Sequence, residues 1–81
     1  MKVRLTDGAK KQFHHLPIDI KKKTRKQFSY LLEDIRHPSL HAKKYQEASG
    51  IWQGRIDKSW RFYFYIIEPD YIVISIITHP K

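Results

Sequence analysis

The two halves of this chain carry different residue patterns, and this division constrains its fold most strongly. Up to about residue 37, apolar side chains recur at three- and four-residue spacing, as on the buried face of an amphipathic helix. From Ile51 onward, aromatic and β-branched residues dominate, which is typical of strands. Helices that precede the strands, instead of alternating with them, predict an α+β fold in which the helices cover one face of a sheet.

The pattern predicts six regular elements in the order β-α-α-β-β-β. A short strand over residues 2–6 precedes a helical hairpin whose second helix ends at His37-Pro38, because the residue before a proline resists the helical conformation. Turns then separate three further strands, and a short additional strand is possible near Lys44-Tyr45. We expect a single domain over residues 1–81, in which the helical hairpin packs on a small antiparallel sheet. The three predicted strands cover residues 51–56, 60–67 and 71–79.

The charge of the chain predicts a polyanionic partner. The formal net charge is +8, and all of this excess lies in residues 1–44, mostly in lysine clusters of the helical half. A solvated helix face explains any single cluster equally well. The chain has no cysteine, no apolar leader and no run long enough to span a bilayer. We therefore expect a cytoplasmic protein with no membrane association.

The length of each turn decides which strand residues share a face. A three-residue turn at 57–59 leaves one apolar face and places Arg55 opposite Arg61 and Gln53 opposite Tyr63 on the other face. A three-residue turn at 68–70 extends both faces. It directs Ile72, Ile74 and Ile76 toward the helices, and it adds Val73, Ser75, Ile77 and His79 to the uncovered face, where Tyr65 also lies.

Two arginines directly opposite each other on neighbouring strands require an explanation. Like charges in that position repel, at a cost of about 0.2–1 kcal/mol. A bound phosphate removes the repulsion, since guanidinium groups bind such oxyanions in forked geometry. In the alternative interpretation, Arg55 pairs with Asp57 or Glu47, and Tyr63 only covers the sheet.

These residue types suit the cleavage of RNA by its own 2′-hydroxyl. That reaction needs a base, an acid and cations around the phosphorus, and no metal or other cofactor. Arg55 and Arg61 fit the electrostatic role, and His79 is a candidate acid or base because histidine exchanges protons near neutral pH. We interpret His37 as a helix terminator and His41 as a surface residue. The base is left open among Lys43, Lys44, Glu47 and Lys58, and the predicted substrate-binding residues are Gln53, Tyr63, Lys43, Lys44 and Lys58.

Three segments together resemble the RelE/ParE superfamily of bacterial toxins. They are Gly50-Ile51-Trp52-Gln53-Gly54-Arg55-Ile56, then Trp60-Arg61-Phe62-Tyr63-Phe64, and finally Ile77-Thr78-His79, preceded by His37-Pro38-Ser39-Leu40 and Lys43-Lys44. The resemblance covers nearly the whole chain. It implies a four-stranded antiparallel sheet with two helices on one face, and a cytoplasmic type II toxin that a cognate antitoxin neutralises.

The resemblance also implies an activity. Members such as RelE, YoeB and YafQ cut mRNA in the ribosomal A site without a metal, which implies contacts of this chain with the ribosome and mRNA, including rRNA contacts through the lysine-rich helices. The residue matching Arg61 contacts the scissile phosphate, the one matching His79 is the general acid, and Arg55 matches a usually basic position. Two alternatives remain: a ParE-like inhibitor of DNA gyrase, and an inactive relative that only binds its antitoxin, since Pro80-Lys81 replaces the usual aromatic residue after the histidine.

Overall fold

The computed structural model describes residues 1–46 and 48–78, and in these it contains two α-helices, one 3₁₀ helix and five strands. The predicted α+β class and order of elements are confirmed, and the additional strand near Lys44-Tyr45 is present. In chain order the elements are β1 (Lys2–Leu5), α1 (Asp7–His14), α2 (Ile18–Glu33), the 3₁₀ helix (Pro38–Leu40), β2 (Lys43–Gln46), β3 (Ile51–Arg55), β4 (Trp60–Ile67) and β5 (Asp70–Thr78).

The strands form one mixed sheet in the order β1-β5-β4-β3-β2. Strands β2 to β5 are antiparallel neighbours, whereas β1 runs parallel to β5 at the edge of the sheet. The expectation of a wholly antiparallel, four-stranded sheet is therefore wrong for this edge. Both helices and three strands lie between β1 and β5 in the chain, so no tight turn forces these two strands to be antiparallel.

The core lies between the helix pair and one face of the sheet. The Phe28 ring of α2 meets the Phe62 ring of β4 edge-on, with 5.1 Å between the ring centroids. From α1, the Gln12 Oε1 atom accepts a hydrogen bond of 2.8 Å from the Ile76 amide of β5. No helix in the described part of the chain is both long and apolar enough to cross a membrane. The fully buried large side chains are Phe62, Phe64, Leu31, Leu40, Ile76, Val73 and Thr24.

Helix α2 ends earlier than the sequence pattern predicts. Its last residue is Glu33, and Asp34 is already extended, with φ −165° and ψ 120°. The Asp34 carboxylate accepts a hydrogen bond of 2.8 Å from the Arg36 amide, and such local side-chain bonds compete with helix continuation. His37 instead caps the 3₁₀ helix, where its Nδ1 atom accepts a hydrogen bond from the Ser39 amide.

The predicted register of the β3–β4 hairpin is confirmed. Arg55 lies opposite Arg61, and Gly54 lies opposite Phe62. A Cβ atom on Gly54 would collide with the Phe62 ring, so this position needs glycine for the ring to lie across β3. The hairpin therefore presents a packed face to the helices and a polar face to the other side.

The β4–β5 hairpin differs from the prediction in one half. Ile67 pairs with Asp70, so the turn has two residues, and Ile74 is an extra residue in β5 opposite the junction of Tyr63 and Phe64. Ile72 and Ile74 were expected to face the helices, but both are only half-buried and do not belong to the core. Val73, expected on the uncovered face, is fully buried. Such a β-bulge shifts the alternation of faces by one residue. Beyond it the register is as predicted, with Ser75 opposite Tyr63 and Ile77 opposite Arg61.

Candidate functional site

The face that the helices leave uncovered carries two arginines in direct cross-strand opposition. Arg55 is the last residue of β3, and Arg61 is the second residue of β4. The two lie directly opposite each other in the antiparallel pairing of these strands. The next pair on the same face is Gln53 with Tyr63. The β3–β4 hairpin thus positions four predicted site residues on two neighbouring strands.

Arg61 is buried, and main-chain carbonyl groups accept hydrogen bonds from its guanidinium group. Its Nη1 atom donates to the carbonyl oxygens of Asp57 and Trp60. Burial lowers the pKa of Arg61, and the positive charge of Arg55 lowers it further. Arginine nevertheless remains charged in proteins, so a fixed positive charge stands on this face.

Arg55 carries the second guanidinium group of this face. Its Nε atom is buried and has no hydrogen-bond partner among the described residues. Its Nη1 atom lies 3.4 Å from the Nε2 atom of His41. A second guanidinium on the same face makes this a favourable place for an anion, because charge-assisted hydrogen bonds to an oxyanion are strong.

The carboxylate of the connecting turn does not neutralise this pair. Asp57 accepts hydrogen bonds from the amides of Ser59 and Trp60, and it forms an ion pair with Lys23 at 3.4 Å. The alternative in which Arg55 pairs with Asp57 is therefore wrong. Glu47, the other carboxylate of that alternative, lies outside the described residues. Within residues 1–46 and 48–78, neither Arg55 nor Arg61 forms an ion pair with a carboxylate.

A cleft of about 420 Å³ opens in front of the two guanidinium groups. Apart from one alanine, every residue of its lining has a polar side chain that can donate a hydrogen bond. The lining residues are His41, Ala42, Lys43, Gln53, Arg55 and Arg61.

His41 reaches the cleft through a local turn of the backbone. It follows the 3₁₀ helix in a left-handed conformation, with φ 45° and ψ 40°. The buried side chain of Gln27 holds this segment in place. Its Nε2 atom donates to the Ser39 carbonyl at 3.0 Å and to the Arg55 carbonyl at 2.8 Å. One amide group of α2 thereby joins the segment that precedes His41 to the strand that carries Arg55.

Tyr63 continues the site along the sheet. Its hydroxyl group donates to Gln53 Oε1 at 3.3 Å. Burial raises the pKa of Tyr63, with a further contribution from Tyr45 that outweighs the opposing effect of Arg61. The phenol therefore remains protonated near neutral pH and serves as a donor. The ring of Tyr45 meets it edge-on, 4.9 Å away.

The structure unites some of the predicted site residues and separates others. Arg55, Arg61, Gln53 and Lys43 line one cleft, and Tyr63 adjoins it. Lys44 lies opposite Trp52 on the helix-covered side, with its Nζ atom 6.0 Å from the indole ring. Lys58 is exposed in the β3–β4 turn and does not line the cleft. The predicted positions of His79 and Glu47 lie outside the described residues.

His41 is the cleft residue that the sequence interpretation missed. It is exposed, as predicted for a surface residue, but it also contacts the guanidinium group of Arg55. The pairing of β2 with β3 predicts the position of His41. Lys43 pairs with Gln53, and continuing this antiparallel register by two residues places residue 41 opposite residue 55.

The described residues contain no group of three or more His, Cys, Asp or Glu side chains placed to hold a metal ion. The side chains of the cleft are instead cationic or neutral, and they suit an anion.

Comparisons with known proteins identify the fold. No protein-family model and no curated protein matches the sequence. Among solved structures, the isolated RelE toxin of Escherichia coli superposes with a TM-score of 0.77 at 17% identity, covering 98% of this chain and 84% of that one. A chain of the RelBE2 toxin–antitoxin complex of Mycobacterium tuberculosis gives 0.75 at 18% identity, with 96% of both chains covered.

This chain has the RelE-like fold. The YoeB toxin of Staphylococcus aureus, solved as a dimer, also superposes, with a TM-score of 0.69 at 19% identity over 99% of this chain and 98% of that one. The RelE-like fold accounts for the helix pair on one face of the sheet and for the uncovered face that carries the arginine pair.

Proposed function

We propose that this chain is the toxin of a type II toxin–antitoxin system, and that it cuts ribosome-bound mRNA as a metal-independent endoribonuclease. The observation that carries the proposal is the pair of opposed guanidinium groups of Arg55 and Arg61, which line a cleft with His41 and Lys43. The RelE-like fold supports it, because several solved relatives of that fold are toxins.

The guanidinium pair suits the charge that develops on a phosphodiester during cleavage. The 2′-hydroxyl of RNA loses its proton and attacks the neighbouring phosphorus. The resulting phosphorane carries more negative charge than the ground state, so fixed cations stabilise it selectively. Carbonyl groups hold Arg61 by its Nη1 atom, which orients the guanidinium before substrate arrives. The bond to the 5′-oxygen then breaks, and that oxygen takes a proton.

Proton transfer in this scheme requires groups beside the two arginines. The His41 ring lies 3.4 Å from Arg55, beside the proposed phosphate position, and is a candidate to take the proton of the 2′-hydroxyl or to supply one to the 5′-oxygen. Lys43 is a second candidate in the same cleft. His79, the general acid that the family resemblance implies, follows β5 in the sequence and completes the proposed set. Removal of a proton from the 2′-hydroxyl and donation to the 5′-oxygen leave the total charge of the enzyme unchanged.

The remaining surface suits the partners of such a toxin. The net charge of +8 favours association with rRNA, and the exposed lysines of both helices are the proposed rRNA contacts. The proposed location of the protein is the cytoplasm. A cognate antitoxin with an acidic segment would complement the same charge. The solved relatives include toxin–antitoxin complexes, which supports a partner of this kind.

Primer extension on mRNA from bacterial cells that express the protein tests the proposal. We expect growth arrest with new 5′ ends inside translated reading frames. The variants Arg55→Gln and Arg61→Gln should lose this cleavage while their circular dichroism spectra remain native. Arg36→Gln removes an equal charge from an exposed side chain outside the cleft, and it should cleave as the wild type does.

The same experiment separates the alternatives. Growth arrest with DNA damage and intact mRNA would favour the ParE-like gyrase inhibitor. Normal growth with intact mRNA, from a protein that is folded and binds an antitoxin, would favour the inactive relative. Full toxicity of both cleft variants would refute the catalytic assignment.

A further inference from the structure

The cleft that Arg55 and Arg61 line is called the arginine cleft below. A second depression on the uncovered face adjoins it and has a mainly apolar lining. It has a volume of about 260 Å³ and is lined mainly by apolar and aromatic side chains. Two of these are unusually exposed for their type: Tyr45 at 53% and Ile77 at 39%. The depression, called the tyrosine groove below, is formed by Tyr45, Gln46, Ile51, Tyr63, Ile74, Ser75 and Ile77.

One hydrogen bond joins the tyrosine groove to the arginine cleft. Gln53 lines the cleft, Tyr63 lines the groove, and the Tyr63 hydroxyl donates to Gln53 Oε1 at 3.3 Å. Tyr63 stands two residues beyond Arg61 on the same face of β4, which is about 6.7 Å along a strand. One nucleotide can span this distance, with its phosphate at Arg61 and its base beside Tyr45, the exposed ring that meets the buried ring of Tyr63 edge-on.

The bulge in β5 is what gives the groove its apolar wall. Ile74 is the extra residue opposite the junction of Tyr63 and Phe64, so both Ile74 and the following Ser75 line the groove. Without the bulge, alternation would direct Ile74 toward the core. Its side chain instead adds apolar surface beside the ring of Tyr63.

We propose that the tyrosine groove is a subsite for the nucleobase of the nucleotide whose phosphate lies between Arg55 and Arg61. The proposal rests on the proposed function and assigns this part of the substrate to named side chains. Bases stack on aromatic faces irrespective of sequence, and the neighbouring cations supply the charge complementarity that directs the phosphate to the cleft. The volume is just below the roughly 300–1,000 Å³ of pockets that enclose drug-sized ligands, so the groove suits a single ring system.

A titration with two probes that differ only in the base tests the subsite. Adenosine 5′-phosphate and ribose 5-phosphate are titrated separately into the full-length protein, and binding is followed by NMR at the resonances of Tyr45, Tyr63 and Arg61. Stacking of one base improves affinity by about fivefold to 150-fold. We therefore expect adenosine 5′-phosphate to bind at least about fivefold more tightly, with shifts at both tyrosine rings.

Substitutions of Tyr45 locate the effect, because its side chain is largely exposed and its loss should leave the fold intact. Tyr45→Ala should remove most of the preference for the base while affinity for ribose 5-phosphate is retained. Tyr45→Phe should keep the preference, because the ring remains. Ile67→Ala, which truncates an exposed apolar residue at the other end of β4, should behave as the wild type does.

The outcomes also distinguish the subsite from the proposed function. Equal affinity of the two probes, no binding of either probe, or an unchanged preference in Tyr45→Ala would overturn the subsite even if the protein cuts mRNA. The expected preference, together with intact mRNA in expressing cells, would retain a nucleotide site and refute the proposed nuclease.

Discussion

The Cα atoms of Arg55 and Arg61 are direct partners across β3 and β4, and the described residues contribute no carboxylate to an ion pair with either one. Like charges in this relationship cost stability. Burial of Arg61 adds a desolvation cost, which the lowered pKa of its guanidinium reflects. The arrangement therefore opposes folding and favours an anion, which is the balance expected of a binding site.

Replacing Arg55 by glutamine should stabilise the fold and remove the activity. Relief of the repulsion should raise the free energy of unfolding by about 0.2–1 kcal/mol. Loss of one fixed cation should lower the rate of RNA cleavage by about 100-fold to 1,000-fold. Urea denaturation and a cleavage assay measure the two effects, with Arg36→Gln as the charge-matched control. A variant that is both less stable and equally active would contradict this account of the pair.

Gln27→Leu should destabilise the protein and loosen the His41 segment. The leucine fills similar space but leaves the carbonyl groups of Ser39 and Arg55 without their donor. Each unsatisfied carbonyl costs about 1–3 kcal/mol. Chemical denaturation measures the loss, and Lys22→Leu on the exposed side of α2 is the control, which should change stability by no more than about 0.5 kcal/mol. Equal stability of the two variants would show that the Gln27 bonds contribute nothing.

Gly54→Ala should be destabilising because its methyl group would collide with the Phe62 ring. Overpacking of this kind costs about 1–3 kcal/mol. The collision should be smaller in a Phe62→Leu background, so a double-mutant cycle should show a favourable coupling energy between the two substitutions. Additive losses would indicate that glycine is required at this position for another reason.

Asp57 should make stability depend on pH in the acidic range. Burial alone would raise the pKa of Asp57, but the amides of Ser59 and Trp60 and the ammonium of Lys23 outweigh it and hold the pKa below its ordinary 3.8. A carboxyl group with a depressed folded-state pKa stabilises the fold above its unfolded-state pKa, and this contribution disappears as the pH falls through the folded-state pKa. The difference in unfolding free energy between wild type and Asp57→Asn should therefore shrink below about pH 3.8. A difference that does not change from neutral to acidic pH would contradict this.

The two hairpins differ in how far their residue pattern determines the register. For β3–β4, only one turn length separates apolar from charged residues, so the opposition of Arg55 and Arg61 follows from the sequence. For β4–β5, two solutions fit nearly equally: a three-residue turn, or a two-residue turn with a bulge at Ile74. Both give the same register near Tyr63, so the residue pattern determines the face of Ser75 but not that of Val73. Strands rich in apolar residues on both faces do not reveal a bulge by pattern.

The cleft depends on contacts that no local pattern contains. His41 reaches Arg55 because His41 itself adopts the left-handed conformation directly after the 3₁₀ helix. Gln27, fourteen positions earlier in the chain, also holds the backbone of Ser39 in place. Neither the short helix nor the buried amide has a periodic signature. The parallel pairing of β1 with β5 likewise joins the two ends of the chain. Long-range pairing of this type is decided by the packing of the whole sheet.

The chemistry of the RNA ends decides whether the opposed arginines serve cleavage by the 2′-hydroxyl of the substrate. Purified protein is incubated with programmed ribosomes, and the termini of the cut mRNA are determined for the wild type and for Arg61→Gln. For the wild type we expect a 2′,3′-cyclic phosphate, or the 3′-phosphate from its hydrolysis, and a 5′-hydroxyl, and we expect these products to be lost in the variant. Products with a 3′-hydroxyl and a 5′-phosphate, or equal cleavage by the variant, would contradict it.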